Sequence, residues 1–255
     1  MSDVTVALHQ VRYEQKAYWR NPMAAVFTFA FPVVFLVIVG TSAGSSRVPG
    51  YSLRYDQYVC VAMLTFGLIA ACYTNLAMTI CNRRDLGILK RMRGTPIAVG
   101  SYIGGLIGSV LVVVAIITVL IVGIGMTSYH LHFPYHPLAV LVTLVVGIIT
   151  FCALGLAVTI LVPNADAAPA IINGIYFPVV FISGVFYPLA QGSVLARIAD
   201  WFPVFHMIRA MASAFEGGPG SGLQVRDLVV MAAWAAGALL FTVRRFRWEP
   251  RRPKA

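Results

Sequence analysis

The segment NRRDLGILKRMRGTP, Asn82 to Pro96, decides the fold of this chain because it separates two apolar runs that are each long enough to cross a bilayer. Lys and Arg are retained on the cytoplasmic side of membranes. We therefore expect this segment, called the elbow, to be a cytoplasmic turn that fixes how the whole chain is threaded. Its five basic residues are Arg83, Arg84, Lys90, Arg91 and Arg93.

The composition indicates an integral membrane protein. Of the 255 residues 59% are hydrophobic and 11% are charged, and the mean hydropathy is +0.83, far from the values of a soluble domain. The net charge of +10 comes from basic residues beside the apolar runs, where topology and anionic lipid headgroups account for them. We therefore expect the lipid bilayer, and not nucleic acid, as a partner. The four cysteines show no metal spacing and no disulfide framework.

Six apolar stretches reach or nearly reach the length of about 20 residues that a helix needs to cross the hydrocarbon core. Backbone polar groups must be satisfied internally there, so we expect these stretches to be helical. The sequence predicts an all-α polytopic membrane protein, a single transmembrane domain over residues 1–255 with six transmembrane helices. The stretches cover approximately residues 23–40, 58–81, 97–126, 138–162, 167–189 and 227–243.

Two segments outside the spans have their own patterns. Residues 1–21 carry apolar side chains at helical spacing opposite charged ones, which predicts an interfacial helix lying on the membrane. Asn21 then suits an N-cap, and Pro22 suits a first helical turn. Residues 190–226 interleave aromatic and charged side chains, which predicts short helices resting at the outer membrane face.

The basic residues also set the orientation. With both termini on the cytoplasmic side, fourteen of the nineteen Lys and Arg residues lie inside and five lie outside. This threading requires an even number of crossings. If the fifth stretch were only a re-entrant loop, the basic C-terminal tail would lie outside, so the charge distribution favours six spans.

The sequence lacks the residues of several other function classes. No G-x-x-x-x-G-K-[ST] pattern occurs, so any ATP-driven work would have to come from another subunit, and we expect no cofactor on this chain. No Asp, Glu, Lys or Arg lies in the middle of a span, which argues against an ion-coupled carrier. No Ser, His and Asp set and no carboxylate pair can be assembled at membrane depth, so we expect no catalytic residue.

Three histidines in one loop, His130, His132 and His136, admit two interpretations. One is a metal site, and the other is an aromatic loop at the membrane interface. Three ligands without an acidic partner favour the loop, so we expect no metal.

The few polar side chains within the spans, among them Thr74 and Ser183, also admit two interpretations. Each is costly when it faces lipid, so each should face protein or a cavity. Hydrogen bonds between helices are the first interpretation. The second is a substrate pathway, aromatic with sparse polar groups, which suits an amphipathic hydrophobic molecule. The pathway would be lined by Phe66, Tyr73, Asn75, Asn173, Phe177 and Phe181.

Three regions resemble the type-2 ABC exporter permeases, in particular drug-resistance permeases of the daunorubicin type, and the similarity covers essentially the whole chain. RNPMAAVFTFAFPVVF, from Arg20, is similar to the start of the family's first span. RRDLGILKRMRGTP, from Arg83, looks like its cytoplasmic coupling helix, so residues 82–96 are the expected coupling segment. ISGVFYPL, from Ile182, and WFPVFHMIRAM, from Trp201, are similar to the end of the fifth span and the short outer re-entrant helices after it.

The resemblance implies the permease subunit of an ATP-driven exporter in a bacterial inner membrane. Its partners would be two copies of a separate ABC ATPase subunit and a second permease, in a homodimer or in a heterodimer with a sister chain. The elbow would transmit motion of the ATPase; the alternative is that it only enforces topology. Export as the direction rests on the resemblance alone. The implied coupling residues are Arg84, Asp85, Leu86, Gly87, Leu89, Lys90, Arg91, Thr95 and Pro96.

The expected cargo is a small hydrophobic or amphipathic molecule such as a drug or an antibiotic, which would make the chain part of a multidrug or antibiotic resistance system. The chain is short and has no large soluble domain that could handle a polymer. Export of a lipid or a lipid-linked glycan is the alternative. An ion-coupled carrier and a non-transporting membrane scaffold are less favoured; dependence of transport on an ATPase would separate the exporter from the carrier.

Overall fold

The computed structural model describes residues 3–42, 46–94, 99–190, 192–217 and 220–245. Within these residues the chain is helical and contains no strand beyond one isolated bridge between Arg47 and Arg54. The prediction of an all-α protein is therefore confirmed. The helices are α1 (Asp3–Trp19), α2 (Pro22–Ser42), α3 (Tyr55–Asp85), α4 (Ile88–Arg93), α5 (Val99–Ser128), α6 (Pro137–Val158), α7 (Ala168–Ile182), α8 (Val194–Ala199), α9 (Pro203–Phe215) and α10 (Val225–Arg245).

Five of the described helices, α2, α3, α5, α6 and α10, are long and apolar enough to cross a membrane. They coincide with five of the six predicted spans. Each contains the run of about 20 apolar residues that satisfies its own backbone hydrogen bonds inside a bilayer. The chain is therefore a multi-pass membrane protein.

The remaining predicted span, residues 167–189, contains only α7, an apolar helix of 15 residues. At a rise of 1.5 Å per residue it is about 22 Å long, which is shorter than a hydrocarbon core of about 30 Å. Gly184 follows it with a φ of +85°, a left-handed conformation that ends the helix although the sequence stays apolar. Membrane crossing by this segment, and with it the number of six spans, stays a prediction.

Helix α3 forms the centre of the bundle. In its most apolar stretch 89% of the residues are buried inside the chain, against 28% in the corresponding stretches of α2, α5 and α10. The other helices therefore pack around α3 and leave one face each uncovered by this chain. Because α3 ends at Asp85, residues 82–85 of the elbow form the last turn of this best-buried helix.

Two of the spans contain a π turn, Val26–Ala30 in α2 and Ala70–Asn75 in α3. Such turns insert one residue into a helix and occur frequently at functional sites. The side-chain amide of Asn75 donates to Oγ1 of Thr28 at 2.7 Å, and this hydrogen bond joins the two turns. The irregular parts of α2 and α3 therefore lie side by side.

Helix α1 packs along α5. The amide of Gln15 donates to the carbonyl oxygen of Ser109 at 2.7 Å and to its Oγ at 2.9 Å. The predicted cap is confirmed, because the side chain of Asn21 accepts from the backbone N–H of Ala24 at 3.3 Å and Pro22 begins α2. That α1 lies in the membrane interface stays a prediction.

The close approach of α6 to the π turn of α3 yields a first prediction. A Cβ at Gly155 would lie 2.9 Å from the carbonyl oxygens of Cys72 and Tyr73, and backbone atoms cannot move aside cheaply. We expect Gly155→Ala to cost about 1 to 3 kcal/mol of stability through overpacking.

Gly237→Ala in α10 is the matched control, since a Cβ there meets nothing within 4 Å. Its stability should be unchanged or slightly higher, because Ala favours a helix more than Gly does. Thermal unfolding of both variants in detergent measures the difference. Equal unfolding temperatures for the two variants would contradict the close contact at Gly155.

Candidate functional site

The aromatic residues of the predicted pathway meet around Tyr176, a residue of α7 that sequence reasoning missed. The centre of its ring lies 5.7 Å from that of Phe66 and 5.9 Å from that of Tyr73. It also lies 5.4 Å from the ring of Phe177. Tyr176 therefore connects predicted residues of α3 with predicted residues of α7.

A second missed residue, Phe186, extends this group beyond the end of α7. Its ring centre lies 4.6 Å from that of Phe181 and 5.9 Å from that of Phe66. Phe35 of α2 lies 5.1 Å from Phe186, and Phe31 lies 5.0 Å from Phe66. Rings at these separations attract one another beyond their buried area. We call these residues the aromatic cluster: Phe31, Phe35, Phe66, Tyr73, Tyr176, Phe177, Phe181 and Phe186.

The predicted residues of α7 lie on one edge of the cluster. Asn173, Phe177 and Phe181 recur every four residues and therefore share one face of the helix. The side chains of Asn173 and Phe177 are half-buried, and Phe181 is 52% exposed. Tyr176 belongs to the neighbouring, buried face. The cluster thus runs from the core at α3 to a surface that this chain leaves open.

Four hydroxyl groups in or beside the cluster are buried without a hydrogen-bond partner in the described part of the chain. They belong to Tyr73, Thr74, Tyr176 and Ser183. A buried hydroxyl without a partner costs about 1 to 3 kcal/mol. Hydrogen-bonding groups of a molecule that entered between the rings would remove this cost. The cluster therefore combines flat apolar surfaces with unsatisfied polar groups, which is the chemistry that an amphipathic ligand matches.

The structure places Asn75 apart from these rings. Its amide bonds to Thr28 of α2, and it lines a cavity of about 200 Å³ at the elbow end of the bundle, together with Glu14 and Arg83. The hydrogen bond between helices, the first of the two interpretations, describes the contact of Asn75 in this conformation. Its place in a substrate pathway stays a prediction.

In the elbow, Arg84 points into the protein. Its side chain is 5% exposed and donates from Nη1 to the carbonyl oxygen of Thr159 at 2.9 Å and from Nη2 to that of Val162 at 2.6 Å. Both carbonyls lie just beyond the C-terminal end of α6, where helical carbonyls lack partners and a positive charge is favourable. Arg84 therefore caps α6 and joins it to α3.

Asp85 makes a second link to the same loop. Its Oδ2 accepts from the backbone N–H of Ala165, and its Oδ1 lies 4.0 Å from Nε of Arg84. Arg84 and Asp85 together hold the elbow against residues 159–167, the loop that leads from α6 into α7. Both were predicted as ATPase-coupling residues; the structure shows that their partners lie within this chain.

Arg83, which the predicted coupling set omitted, binds two further helices. Its guanidinium donates to both carboxylate oxygens of Glu14 on α1 at 2.6 and 2.5 Å, and to the hydroxyl of Tyr102 on α5 at 2.7 Å. Bidentate pairs of this kind fix geometry as well as charge. One signal could have indicated this pair, since Glu14 is an acid on the predicted interfacial helix, which the charge count places on the same side of the membrane as the basic elbow.

A left-handed glycine turns the chain between α3 and α4. Gly87 has a φ of +68°, the conformation in which glycine commonly ends a helix. Leu86 before it is 65% exposed, whereas Leu89 after it is 1% exposed and anchors α4 in the core. The turn therefore presents one leucine outward and buries the other.

The remaining predicted coupling residues lie on the outside of the elbow or beyond the described residues. The side chains of Lys90 and Arg91 are exposed, and Arg91 donates to the carbonyl oxygen of Leu86 at 3.1 Å. Thr95 and Pro96 lie outside the described residues. The outward surface of the elbow thus includes Leu86, Lys90 and Arg91.

The histidine loop is aromatic where it is described. The ring of His132 lies 5.9 Å from that of Tyr135. In the described ranges no group of three or more His, Cys, Asp or Glu side chains is arranged to hold a metal ion.

A comparison with known protein families gives a match. The family model described as ABC-2 type transporter matches residues 8–215. This range contains the aromatic cluster, the elbow and helices α8 and α9. A search of curated proteins found no match to the chain.

Two arginines of the elbow, the buried Arg84 and the exposed Arg91, yield a second prediction. Arg84→Met should lower stability by about 2 to 3 kcal/mol, because the carbonyls of Thr159 and Val162 lose a charged donor in a buried site. Arg91→Met removes an exposed arginine of the same segment and should change stability by about 0.5 kcal/mol at most.

Thermal unfolding and limited proteolysis within residues 159–167 measure both variants. Protease should cut this loop faster in the Arg84 variant only. Equal cleavage rates in wild type and in the Arg84 variant would show that the loop does not depend on this link.

Proposed function

We propose, on the premise that this chain belongs to the ABC-2 type transporter family, that it forms the path by which an ATP-driven exporter moves a small hydrophobic or amphipathic molecule across a membrane. The chain is a permease subunit of an ABC transporter, and ATP hydrolysis is the task of another subunit. The cargo is proposed to be a drug-like or antibiotic-like molecule. The cell membrane would be a bacterial inner membrane, with the elbow and both termini in the cytoplasm.

The aromatic cluster with its unpartnered hydroxyls carries this proposal. Eight rings line a continuous region from the buried face of α3 to the open face of α7, and the hydroxyls of Tyr73 and Tyr176 lie buried within it. Aromatic surfaces bind flat apolar groups, and the hydroxyls bind the few polar groups that orient them. A molecule with both features is the cargo that this region fits.

The open face of α7 supports a path shared by two permease chains. Asn173, Phe177 and Phe181 are incompletely covered by this chain. A second copy, or a sister permease, that brings its own α7 to this face would enclose the path. Substrate would then lie between two aromatic clusters.

The elbow has an exposed surface on one side and hydrogen bonds to the chain's own loop on the other, which supports a role in transmitting motion from an ATPase. Leu86 and Arg91 are available on its outward surface, whereas Arg84 and Asp85 hold the loop before α7. An ATPase that pushed on the outward surface would therefore displace α7 through hydrogen bonds already in place. Two copies of an ATPase that binds ATP and Mg would act on the two permease chains.

This coupling role yields a third prediction. Leu86→Asp should abolish co-purification of an ATPase from the native membrane, because a charge replaces an apolar side chain that is 65% exposed at the proposed contact. Val194→Asp is the matched control, since Val194 is 71% exposed at the opposite end of the bundle. The tagged chain is solubilised gently, and bound proteins and ATP hydrolysis are measured.

Retention of the ATPase by the Leu86 variant would exclude this surface as the docking site. Absence of any ATPase from the wild-type preparation, including after mild crosslinking, would favour a carrier or a scaffold over an exporter.

The buried hydroxyl groups without a hydrogen-bond partner yield a fourth prediction, which tests the proposed substrate path. Tyr176→Phe removes a hydroxyl that has no partner in the described residues, so stability should not fall. The initial rate of ATP-dependent uptake of a fluorescent amphipathic dye into inside-out vesicles should fall about fivefold, which corresponds to one hydrogen bond of about 1 kcal/mol.

Tyr58→Phe is the control, for which we expect the opposite result: lower stability and unchanged uptake. The Tyr58 hydroxyl donates to the carbonyl oxygen of Gly184 at 2.8 Å, so its loss should lower stability by about 1 kcal/mol and leave uptake per folded protein unchanged. Wild-type uptake by the Tyr176 variant would place the path elsewhere. Movement of a fluorescent lipid in place of the dye would support the lipid-export alternative.

A further inference from the structure

A buried histidine and aspartate lie at the end of the bundle opposite the elbow. His206 of α9 and Asp227 in the first turn of α10 both have an exposed fraction of 0%. Nδ1 of His206 lies 2.6 Å from Oδ1 of Asp227, and Nε2 lies 2.9 Å from the carbonyl oxygen of Asp200. Both ring nitrogens therefore face oxygen atoms at hydrogen-bonding distance.

These contacts fix where protons must be. A carbonyl oxygen only accepts hydrogen bonds, so Nε2 of His206 carries a hydrogen. The short contact between Nδ1 and Asp227 needs a second proton, carried by the imidazole or by the carboxyl group. Loss of that proton leaves two lone pairs facing each other in a buried site, where an unpaired polar group is costly.

Two arginines extend this contact into a network across three elements. Nη1 of Arg209 lies 3.6 Å from Oδ1 of Asp200, and its Nε lies 3.6 Å from Oδ2 of Asp227. Nη2 of Arg226 lies 2.6 Å from Oδ2 of Asp200. The network therefore connects the turn after α8, helix α9 and the start of α10.

We propose that these five residues form a proton-dependent latch, closed while His206 and Asp227 share a proton and loosened when that proton is lost. The closed latch holds α8 and α9 against α10. Histidine is the side chain that ordinarily changes charge between about pH 5 and pH 8. The closed fraction should fall as the pH rises, by at most about tenfold per pH unit, because one proton is linked to closing. The latch depends on neither the proposed cargo nor the ATPase.

Loosening the latch would alter a pocket of about 430 Å³ beside it. Asp200, Phe205 and Arg209 form part of its wall, together with Tyr51 and Glu216 from neighbouring segments. In the proposed orientation this pocket lies at the outer face, so the latch would respond to the external pH.

Other ionisable groups pack around α9, and the experiment must separate them from His206. Burial raises the pKa of Tyr51 to about 12, although Arg209 opposes this effect, so Tyr51 stays neutral in the range of interest. His136 precedes α6, and its backbone N–H donates to the carbonyl oxygen of Ala214 in α9 at 3.2 Å. Helices α3 and α6 also pack on α9. The ionisable side chains in the first turns of α3 are Tyr55, Asp56, Tyr58 and Cys60, and the one in α6 is Cys152.

The fifth prediction concerns hydrogen–deuterium exchange of the whole chain in lipid nanodiscs between about pH 5.5 and pH 8.5, corrected for the intrinsic exchange rate. Protection of residues 203–215 should fall with rising pH, while protection of α3 stays constant and excludes global unfolding. Both measurements, the protection of residues 203–215 and that of α3, are made on the wild-type protein.

Asp227→Asn is the decisive variant. The Asn amide can donate to a neutral Nδ1 of His206, and after rotation its oxygen can accept from a protonated one. The latch should therefore stay closed at every pH, and the protection of α9 should become independent of pH. His136 is unchanged in this variant, so a pH effect arising from His136 would persist.

Asp56→Asn is the matched control. Asp56 is also buried at the same end of the bundle, but it pairs with Arg54 at 2.6 Å and not with a histidine. This variant should keep the wild-type pH dependence. Constant protection of residues 203–215 in wild type, or an undiminished pH dependence in the Asp227 variant, would overturn the proposal.

Discussion

Three consecutive side chains at the end of α3 constrain the rest of the structure. Arg83 binds α1 and α5, and Arg84 and Asp85 bind the loop between α6 and α7. Charged groups that are largely removed from water are strongly unfavourable without such partners, so each of these elements has to meet α3 at one position. Because α3 is also the helix that the others surround, fixing its end fixes the register of the bundle.

The centre of the bundle is held differently from its two ends. Charged and hydrogen-bonded networks lie at the elbow and around His206, whereas the aromatic cluster between them is held by ring contacts. Ring contacts are individually weak and tolerate displacement better than buried ion pairs do. The region best suited to part around a molecule is therefore the region that carries the unpartnered hydroxyls.

Hydropathy predicted the features that depend only on the length of an apolar run. It predicted six spans, five of which coincide with described helices long enough to cross a membrane, but it could not show where α7 ends, because the left-handed turn at Gly184 lies inside an uninterrupted apolar run. The elbow was evident from its charge, but the partners of Arg84 lie 75 and 78 residues away, and one sequence carries no signal for such pairing. Tyr176 was predictable in principle, since its four-residue spacing from Ile172 and Val180 marks the buried face of α7.

The elbow residues that the family resemblance grouped together are of two kinds, exposed residues and residues bound to the chain's own loop. The two kinds would play different parts in transmitting motion from an ATPase. An ATPase could contact Leu86 and Arg91, but Arg84 and Asp85 are already engaged with the chain's own loop. In the proposed exporter, that loop leads directly into α7, a rod of about 22 Å whose far end is the left-handed turn at Gly184. A push on the elbow would therefore reach the first turn of α7 through hydrogen bonds, and the rod would tilt about its glycine end. Such a tilt changes the spacing between Tyr176 and the rings of α3, which is the spacing that decides whether a molecule fits between them.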